Sequence, residues 1–460
     1  MQAPFDIAAD LDTPVSAYLK LSALKPRFLL ESVEGGERLA RYSFLGFGEA
    51  LEVRMDEGSL QVNGEARARP RDQQEYLDAL REALVQAPQP QPAEDLPFAG
   101  GLVGVSGYDV VRLFEKLPRD TEKQTSVPDA AFVAPMSLLV FDHVTRRIAL
   151  LHAGPEDERQ ALRAEVMQQL RGPIPSNGHE VSISAAEASF TEAEFAERVE
   201  ACKEYIASGD IYQIVLSVLF RGKTNVSPFE VYRALRLLNP SPYMFFFDFD
   251  DLQVVGSSPE ALVKLNHNTA SLRPIAGTLP RGETQEQDSA NEKALLADPK
   301  EAAEHVMLVD LARNDLGRVA KAGSVRVDPY RAIERYSHVM HIVSGVQGEL
   351  DSEYDQFDLF AASFPAGTLV GAPKVRAMQI IEEMEGVGRG LYAGTAGYFG
   401  LSGDMDQAIT IRTLVFSGDE YSFQAGAGIV ADSVPAREYQ EVMAKSAILR
   451  RALEIAGEGL

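Results

Sequence analysis

A single cysteine, Cys202, in 460 residues excludes an internal disulfide framework and any zinc site built on cysteine. It stands in "VEACKEYIASG", a helical pattern without the glycine turn of a nucleophile, so an inert helix cysteine is expected. Tryptophan is absent altogether. No apolar run approaches the length that crosses a bilayer. The opening "MQAPFDIAADLDTP" carries three aspartates and no basic stretch, unlike a secretory signal, and a cytoplasmic location is expected. Basic residues are outnumbered 68 to 44, which leaves a net charge of -24 distributed along the chain. Such a surface repels nucleic acid and anionic lipid, so neither is an expected partner. An anionic ligand would need local cations, backbone N–H groups or a bound metal to overcome that field.

What remains is an ordinary globular composition, 45% apolar and 24% charged, in a chain too long for one ordinary core. Short strand-like runs dominate the first 170 residues: "RYSFLGFGEALEVRM", "GLVGVSGYDVV" and "AFVAPMSLLVFDHVTRRIALLHA", the last reading as two strands joined near Asp142. "DQQEYLDALREALVQA" is an amphipathic helix followed by a proline-rich loop. Two prolines and Ser-Asn-Gly in "RGPIPSNGHEVSISAAEAS" mark the expected boundary between domains at 1–180 and 181–460. Beyond it, Thr191 and Glu194 form a capping box, Gly209 stands where the helix should end, and "IYQIVLSVLF" reads as a strand. There is no internal repeat and no strict βαβ alternation, so the expected class is α+β.

Two segments share a spacing. Glu301 and Glu304 lie three apart on one predicted helix, and Glu438 and Glu441 lie three apart on another. That spacing puts each pair on one helical face. Four carboxylates from two facing helices could hold a hard cation, and without a cysteine or histidine cluster magnesium is favoured over zinc. Either pair alone, as a bare pattern, reads as a solvated helix face rather than a metal site. The second pair has the more specific setting: Gly426 and Gly428 in "GAGIVADSVPAREYQEVMAK" read as a turn permitting close backbone approach, Pro435 opens the helix, and Lys445 adds a cation to its face. "SLRPIAGTLPRG" and "FPAGTLVGAPKVRAMQIIEEM" each contain a Gly-Thr turn that could bind an anion or be structural, and neither has P-loop spacing. His341, with Val339 and Val343 on one strand face, is read as a core histidine or a base. Arg412 falls in the apolar run "QAITIRTLVF", where a buried arginine requires a partner such as a carboxylate ligand.

Taken together, "GDIYQIVLS", "NPSPYMFFF", "GSSPEALV", "RPIAGTLPRG", "EHVMLVDLARNDLGRV", "HIVSGVQGEL", "FPAGTLVGAPK", "YAGTAGYFG" and "GAGIVADSVPAREYQE" resemble the chorismate-utilising enzymes, most closely their anthranilate synthase component I branch. The resemblance implies large antiparallel β-sheets packed as a sandwich and flanked by helices. It implies a magnesium site at Glu301, Glu304, Glu438 and Glu441. Arg412, Tyr392, Lys445 and the backbone of Gly426, Ala427 and Gly428 would hold the enolpyruvyl carboxylate of chorismate. His341 would be the base for pyruvate elimination, with Thr368 and Glu260 as the other catalytic groups. Ala276, Gly277 and Thr278 would line the ring pocket beside Glu260.

Within the family, the isochorismate and salicylate synthases have a lysine where this chain has Gln213, which favours ammonia over water as nucleophile. Many aminodeoxychorismate synthases have a lysine where this chain has Ala276, which favours direct amination. "LLES", "RYSFLG" and "NPSPYMFF" resemble a tryptophan feedback site, implying Glu31, Ser32, Ser43, Pro242, Tyr243 and Met244 as its residues. Val218-Leu219 departs from the Gln-Arg usual in relatives. The implied activity converts chorismate and ammonia to anthranilate and pyruvate, the first committed step of tryptophan biosynthesis. Ammonia would come from a separate glutamine amidotransferase subunit in a hetero-oligomer, since Cys202 has no glutaminase context. The absence of tryptophan would let such an enzyme be made during tryptophan starvation. The alternatives are an aminodeoxychorismate synthase component I of folate biosynthesis and a non-catalytic tryptophan-binding scaffold.

Overall fold

The computed structural model describes residues 5–32, 41–90, 96–175, 181–335 and 339–460. Among these residues, twenty-one strands join in one antiparallel sheet and three more form a small second sheet. In the first half the key strands are β1 (Pro26–Glu31) and β2 (Tyr42–Met55), the latter built from the alternating run expected of it. The strands Ala130–Asp142 and Arg147–His152 join beyond Asp142 and the helix Gln73–Gln86 forms, both as read from the sequence, with Asp72 capping that helix. "GLVGVSGYDVV" is strand only over Gly101–Ser106. At Gly107 the chain turns into a 3-10 segment, Tyr108–Leu113, because the Tyr108 amide donates to Gly390 O and no Cβ would fit at Gly107 against that carbonyl.

Beyond residue 181, the capping box at Thr191 and Glu194 starts the helix Glu192–Ala207, and Gly209 follows it with φ 84°. Cys202 is buried on that helix, and burial pushes its thiol up to about 12, so it is inert. The central strand β3 (Gln213–Lys223) comes next, followed by β4 (Tyr243–Asp248). The small sheet holds β5 (Ile275–Pro280), and α1 (Pro299–Gly317) packs beside it. β6 (Val339–Val343) pairs with β5. Last come β7 (Glu420–Ile429) and the long helix α2 (Pro435–Glu458).

Side chains two apart on a strand share a face. On β4, Met244 and Phe246 enter one apolar cluster while Phe245 and Phe247 enter another, so the sheet is covered on both faces. This is the sandwiched, helix-flanked antiparallel architecture expected from the sequence. The same strand joins the two halves of the chain, since Met244 stands opposite Glu31 and Phe247 opposite Phe28. The strand Gly101–Ser106 likewise pairs with Thr395–Gly400. The expected division at 180 and 181 adjoins residues 176–180, which lie outside the described residues. Val218 and Leu219 are buried in β3, opposite Ala425 and Gln424, and nothing in the structure explains their departure from the usual pair. Among the described residues no helix is long and apolar enough to cross a membrane.

The helix α1 begins where Asp298 accepts from the Lys300 and Glu301 amides and Pro299 takes the first position. Asp298→Ala should therefore loosen the first turn by about 1 kcal/mol. Amide exchange at Glu301 should then quicken roughly fivefold, measured by hydrogen exchange, with the last turn of α1 unaffected.

Candidate active site

Ten residue pairs lock β3 to β7, placing Ser217 opposite Gly426, Leu216 opposite Ala427 and Val215 opposite Gly428. The sequence reading put these glycines in a turn; they lie inside the strand, and the turn comes after Ile429. Their need is steric. A Cβ on Gly426 would stand 2.6 Å from Tyr392 Oη, and one on Gly428 would stand 2.9 Å from Gln213 Nε2. The bare strand thus admits a hydroxyl and an amide against its backbone. Ala427 points to the other face and is fully buried. From α2, Lys445 Nζ donates to Gly426 O at 3.0 Å and pairs with Glu441 Oε1 at 2.7 Å.

The small sheet supplies a second wall. Gly277 is not in a turn but in a bulge of β5, with φ 67°, opposite β6. His341 Nδ1 donates to Gly277 O at 3.0 Å and lies 3.0 Å from Thr278 Oγ1, so the basic lone pair is on Nε2. Met340 and Ile342 fill the core face with Leu295, leaving half-buried His341 on the opposite face. It is therefore not a core histidine. Burial lowers its pKa, and Arg412 lowers it further, against the Gly277 hydrogen bond and Glu334, which raise it. The imidazole is neutral at pH 7 and able to accept a proton.

Thr368, in the turn Gly367–Leu369, donates to Glu260 Oε1 at 2.9 Å. Burial pushes the Glu260 carboxyl up to about 7, opposed by the Thr368 hydrogen bond and by the charges of Lys445 and Arg412. A small open cavity adjoins the pair, lined also by Arg273, Leu308, Asp315 and Gly367. Arg412 is not inside a strand as expected. The apolar run breaks between Met405–Ile409 and Thr413–Ser417, and Arg412 takes φ 49° in the break, its carbonyl bound by the Ser257 amide. Its guanidinium reaches Asn239 Oδ1 at 3.5 Å. Ala276 is buried on β5 beside the bulge.

Glu301 and Glu304 stand on α1, and Glu438 and Glu441 stand on α2. A Cβ on Gly277 would lie 3.0 Å from Glu301 Oε2, which places that carboxylate against the bulge. The Glu304 carboxyl is raised by burial first and then by Glu301, with a smaller contribution from Glu441; a hydrogen bond to Gln213 opposes the rise. Carboxylates from α1 and α2 therefore repel one another across the site. Among the described residues no three acidic, histidine or cysteine side chains converge as closely as a bound metal requires. An all-oxygen donor set under mutual repulsion fits a hard divalent cation in its chemistry. Gln213, singled out in the sequence only for distinguishing branches of the family, is itself part of the site, between Glu304 and Gly428.

A second cavity, open to solvent, is lined by Glu31, Ser32, Pro242, Tyr243 and Met244 together with Lys264, Tyr398 and Asp406. Glu31 is held by Tyr232 Oη at 2.5 Å and by Arg236 Nε at 3.0 Å. Ser43 does not line the cavity; its hydroxyl pairs with His143 Nε2 at 2.7 Å behind the wall. The lining pair Lys264 and Asp406, 2.8 Å apart, had no signal in the sequence because β-pairing across more than 140 positions brings it together.

A family model described as chorismate binding enzyme matches residues 25–451, and the chain belongs to that family. Over 98% of its length it is 46% identical to anthranilate synthase component 1 of Aquifex aeolicus, covering 94% of that protein. It is 45% identical to the Thermus thermophilus protein of the same name, with 98% and 97% covered. The crystal structure of anthranilate synthase component I from Streptococcus pneumoniae superposes with a TM-score of 0.81 at 36% identity, covering 98% of this chain and all of that one.

A carboxyl that rises from an ordinary 4.5 to about 7 binds a proton on folding. Its contribution to stability is complete below the ordinary value and is lost as pH rises through 7. The urea midpoint should thus fall between about pH 5 and pH 8, and Glu260→Gln should flatten that fall. Parallel pH curves for the two proteins would show that Glu260 ionises normally.

Proposed function

We propose that this protein is the aminase subunit of an anthranilate synthase, converting chorismate and ammonia to anthranilate and pyruvate. The observation that carries the reading is near-full-length similarity to anthranilate synthase component 1, joined to a neutral histidine close enough to Arg412 to feel its charge. Arg412 and Lys445, with the open backbone at Gly426 and Gly428, bind the enolpyruvyl carboxylate in a protein of net charge -24. Glu301, Glu304, Glu438 and Glu441 would hold Mg2+, which supplies charge neutralisation for the ring carboxylate and Lewis-acid assistance at the departing 4-hydroxyl. Ammonia adds at C2 as that hydroxyl leaves. His341 Nε2 then takes the C2 proton while the enolpyruvyl C–O bond breaks, which releases pyruvate and makes the ring aromatic. Thr368 and Glu260 orient the ring. Gln213 carries no amine to activate water, and Ala276 none to form an adduct, which supports direct amination by ammonia.

Ammonia comes from a separate glutamine amidotransferase subunit, because Cys202 is buried and its thiol is unreactive. The second cavity takes tryptophan as a feedback inhibitor, its mixed aromatic and charged lining suiting an amino acid with a bicyclic side chain.

The purified chain with chorismate, ammonium and magnesium should produce fluorescent anthranilate, and EDTA should abolish it. His341→Ala should lower kcat by roughly 100- to 10,000-fold. Accumulation of aminodeoxychorismate without anthranilate would replace this reading with the folate-branch enzyme, and tryptophan binding without any turnover would replace it with a scaffold. In inhibition assays, Ser32→Ala should weaken tryptophan inhibition while uninhibited turnover persists; equal inhibition would remove Ser32 from the effector site.

A further inference from the structure

We propose that the buried ion pair Arg389–Glu385 positions the active site, holding the Thr368 turn, the strand floor at Gly426 and Gly428, and the Tyr392 ring in one register. The proposal rests on the reading above that these groups handle the substrate. Both side chains are about 1% exposed. Arg389 Nε and Nη2 donate to the two oxygens of Glu385 at 2.9 and 2.7 Å. Its remaining donors leave the pair: Nη1 reaches Leu369 O at 2.7 Å, next to Thr368, and Nη2 reaches Val215 O at 2.9 Å, opposite Gly428. Glu385 Oε1 also accepts from the Ser217 amide and hydroxyl, each at 2.8 Å, and Ser217 stands opposite Gly426. The guanidinium carbon lies 5.5 Å from the centroid of Tyr392, whose hydroxyl abuts Gly426, and 4.9 Å from that of Tyr108.

A buried ion pair is seldom the best way to stabilise a core, since apolar side chains of similar volume usually serve as well. What apolar side chains cannot do is fix two carbonyls and a carboxylate at set angles, as a planar guanidinium does. Here each acceptor belongs to a different piece of the site, and those pieces come from positions 215, 369 and 385. Arg389 and Glu385 touch the site from behind the floor, so Arg389 acts through Thr368, Tyr392 and the strand rather than on the substrate.

The test compares the full chain with Arg389→Met/Glu385→Gln, in which no charge is left buried alone and the glutamine can still accept from Ser217. A urea midpoint near that of the unsubstituted protein, with kcat for ammonium-dependent anthranilate formation lowered at least tenfold, is the expected result. Recovery of kcat to within twofold alongside stability would overturn the proposal, leaving the pair a core filler. Should the double variant fail to fold, Arg389→Lys keeps the charge without the fork, and an undiminished kcat there would equally overturn it. If the unsubstituted protein forms no anthranilate, the functional reading has failed. Hydrogen exchange then decides the positioning: Arg389→Lys should quicken exchange at residues 367–370 and 213–217 at least tenfold, with β2 unchanged, and unaltered exchange would refute it.

Discussion

The ladder between Gln213–Lys223 and Glu420–Ile429 is the constraint on which the rest of the site depends. Ten consecutive pairs bring together segments about 200 residues apart, and a slip of one position would turn every side chain to the opposite face. In the register observed, two glycines leave one patch of strand bare, and the neighbours that fill it arrive from elsewhere: Gln213 from the start of β3, Tyr392 from the segment before Thr395, and Lys445 from the helix that follows β7. Burial on both faces of the sheet makes that register costly to change. The strand is therefore a rigid reference against which helices and turns are placed.

Charge is organised around the same floor. Arg412 and Lys445 both lower the Glu260 pKa, and Arg412 also lowers that of His341, so these four groups share one electrostatic neighbourhood. Near the cations, Glu301 and Glu441 are close enough to raise the Glu304 carboxyl, which burial raises most. A cleft holding Arg412 and Lys445, the latter paired with Glu441, suits an anionic ligand that meets these cations directly. It also explains how a protein of net charge -24 can accept an anion at all.

Signals that are local in the chain were legible. The capping box at Thr191, the terminator at Gly209, the strand-like run of β2, and Pro435 opening α2 each depend on neighbours within a few positions. The glutamate pairs at helical spacing were visible for the same reason. Misreadings arose where tertiary contacts decide. Gly426 and Gly428 looked like a turn because glycine in a strand makes sense only once Tyr392 and Gln213 are seen to press on it. Arg412 looked buried in a strand because nothing nearby announces the break that its own backbone makes. Ser43 fell beside a motif whose strand carries it away from the cavity, and Arg389 had no signal at all, because its partners lie on three separate segments.

The sharing of one sheet by both halves of the chain has a consequence for how the molecule can be divided. Pro26–Glu31 covers one side of Tyr243–Asp248, and Gly101–Ser106 covers one side of Thr395–Gly400. Severing the chain near residue 180 and discarding the first part would leave two rows of main-chain amides and carbonyls facing solvent, bordered by Phe245, Phe247 and Tyr398 from an apolar cluster. Such naked, aromatic margins are templates for sticking to other chains. Pro26–Glu31 and Gly101–Ser106 thus cover two edges on which another chain could otherwise add a strand.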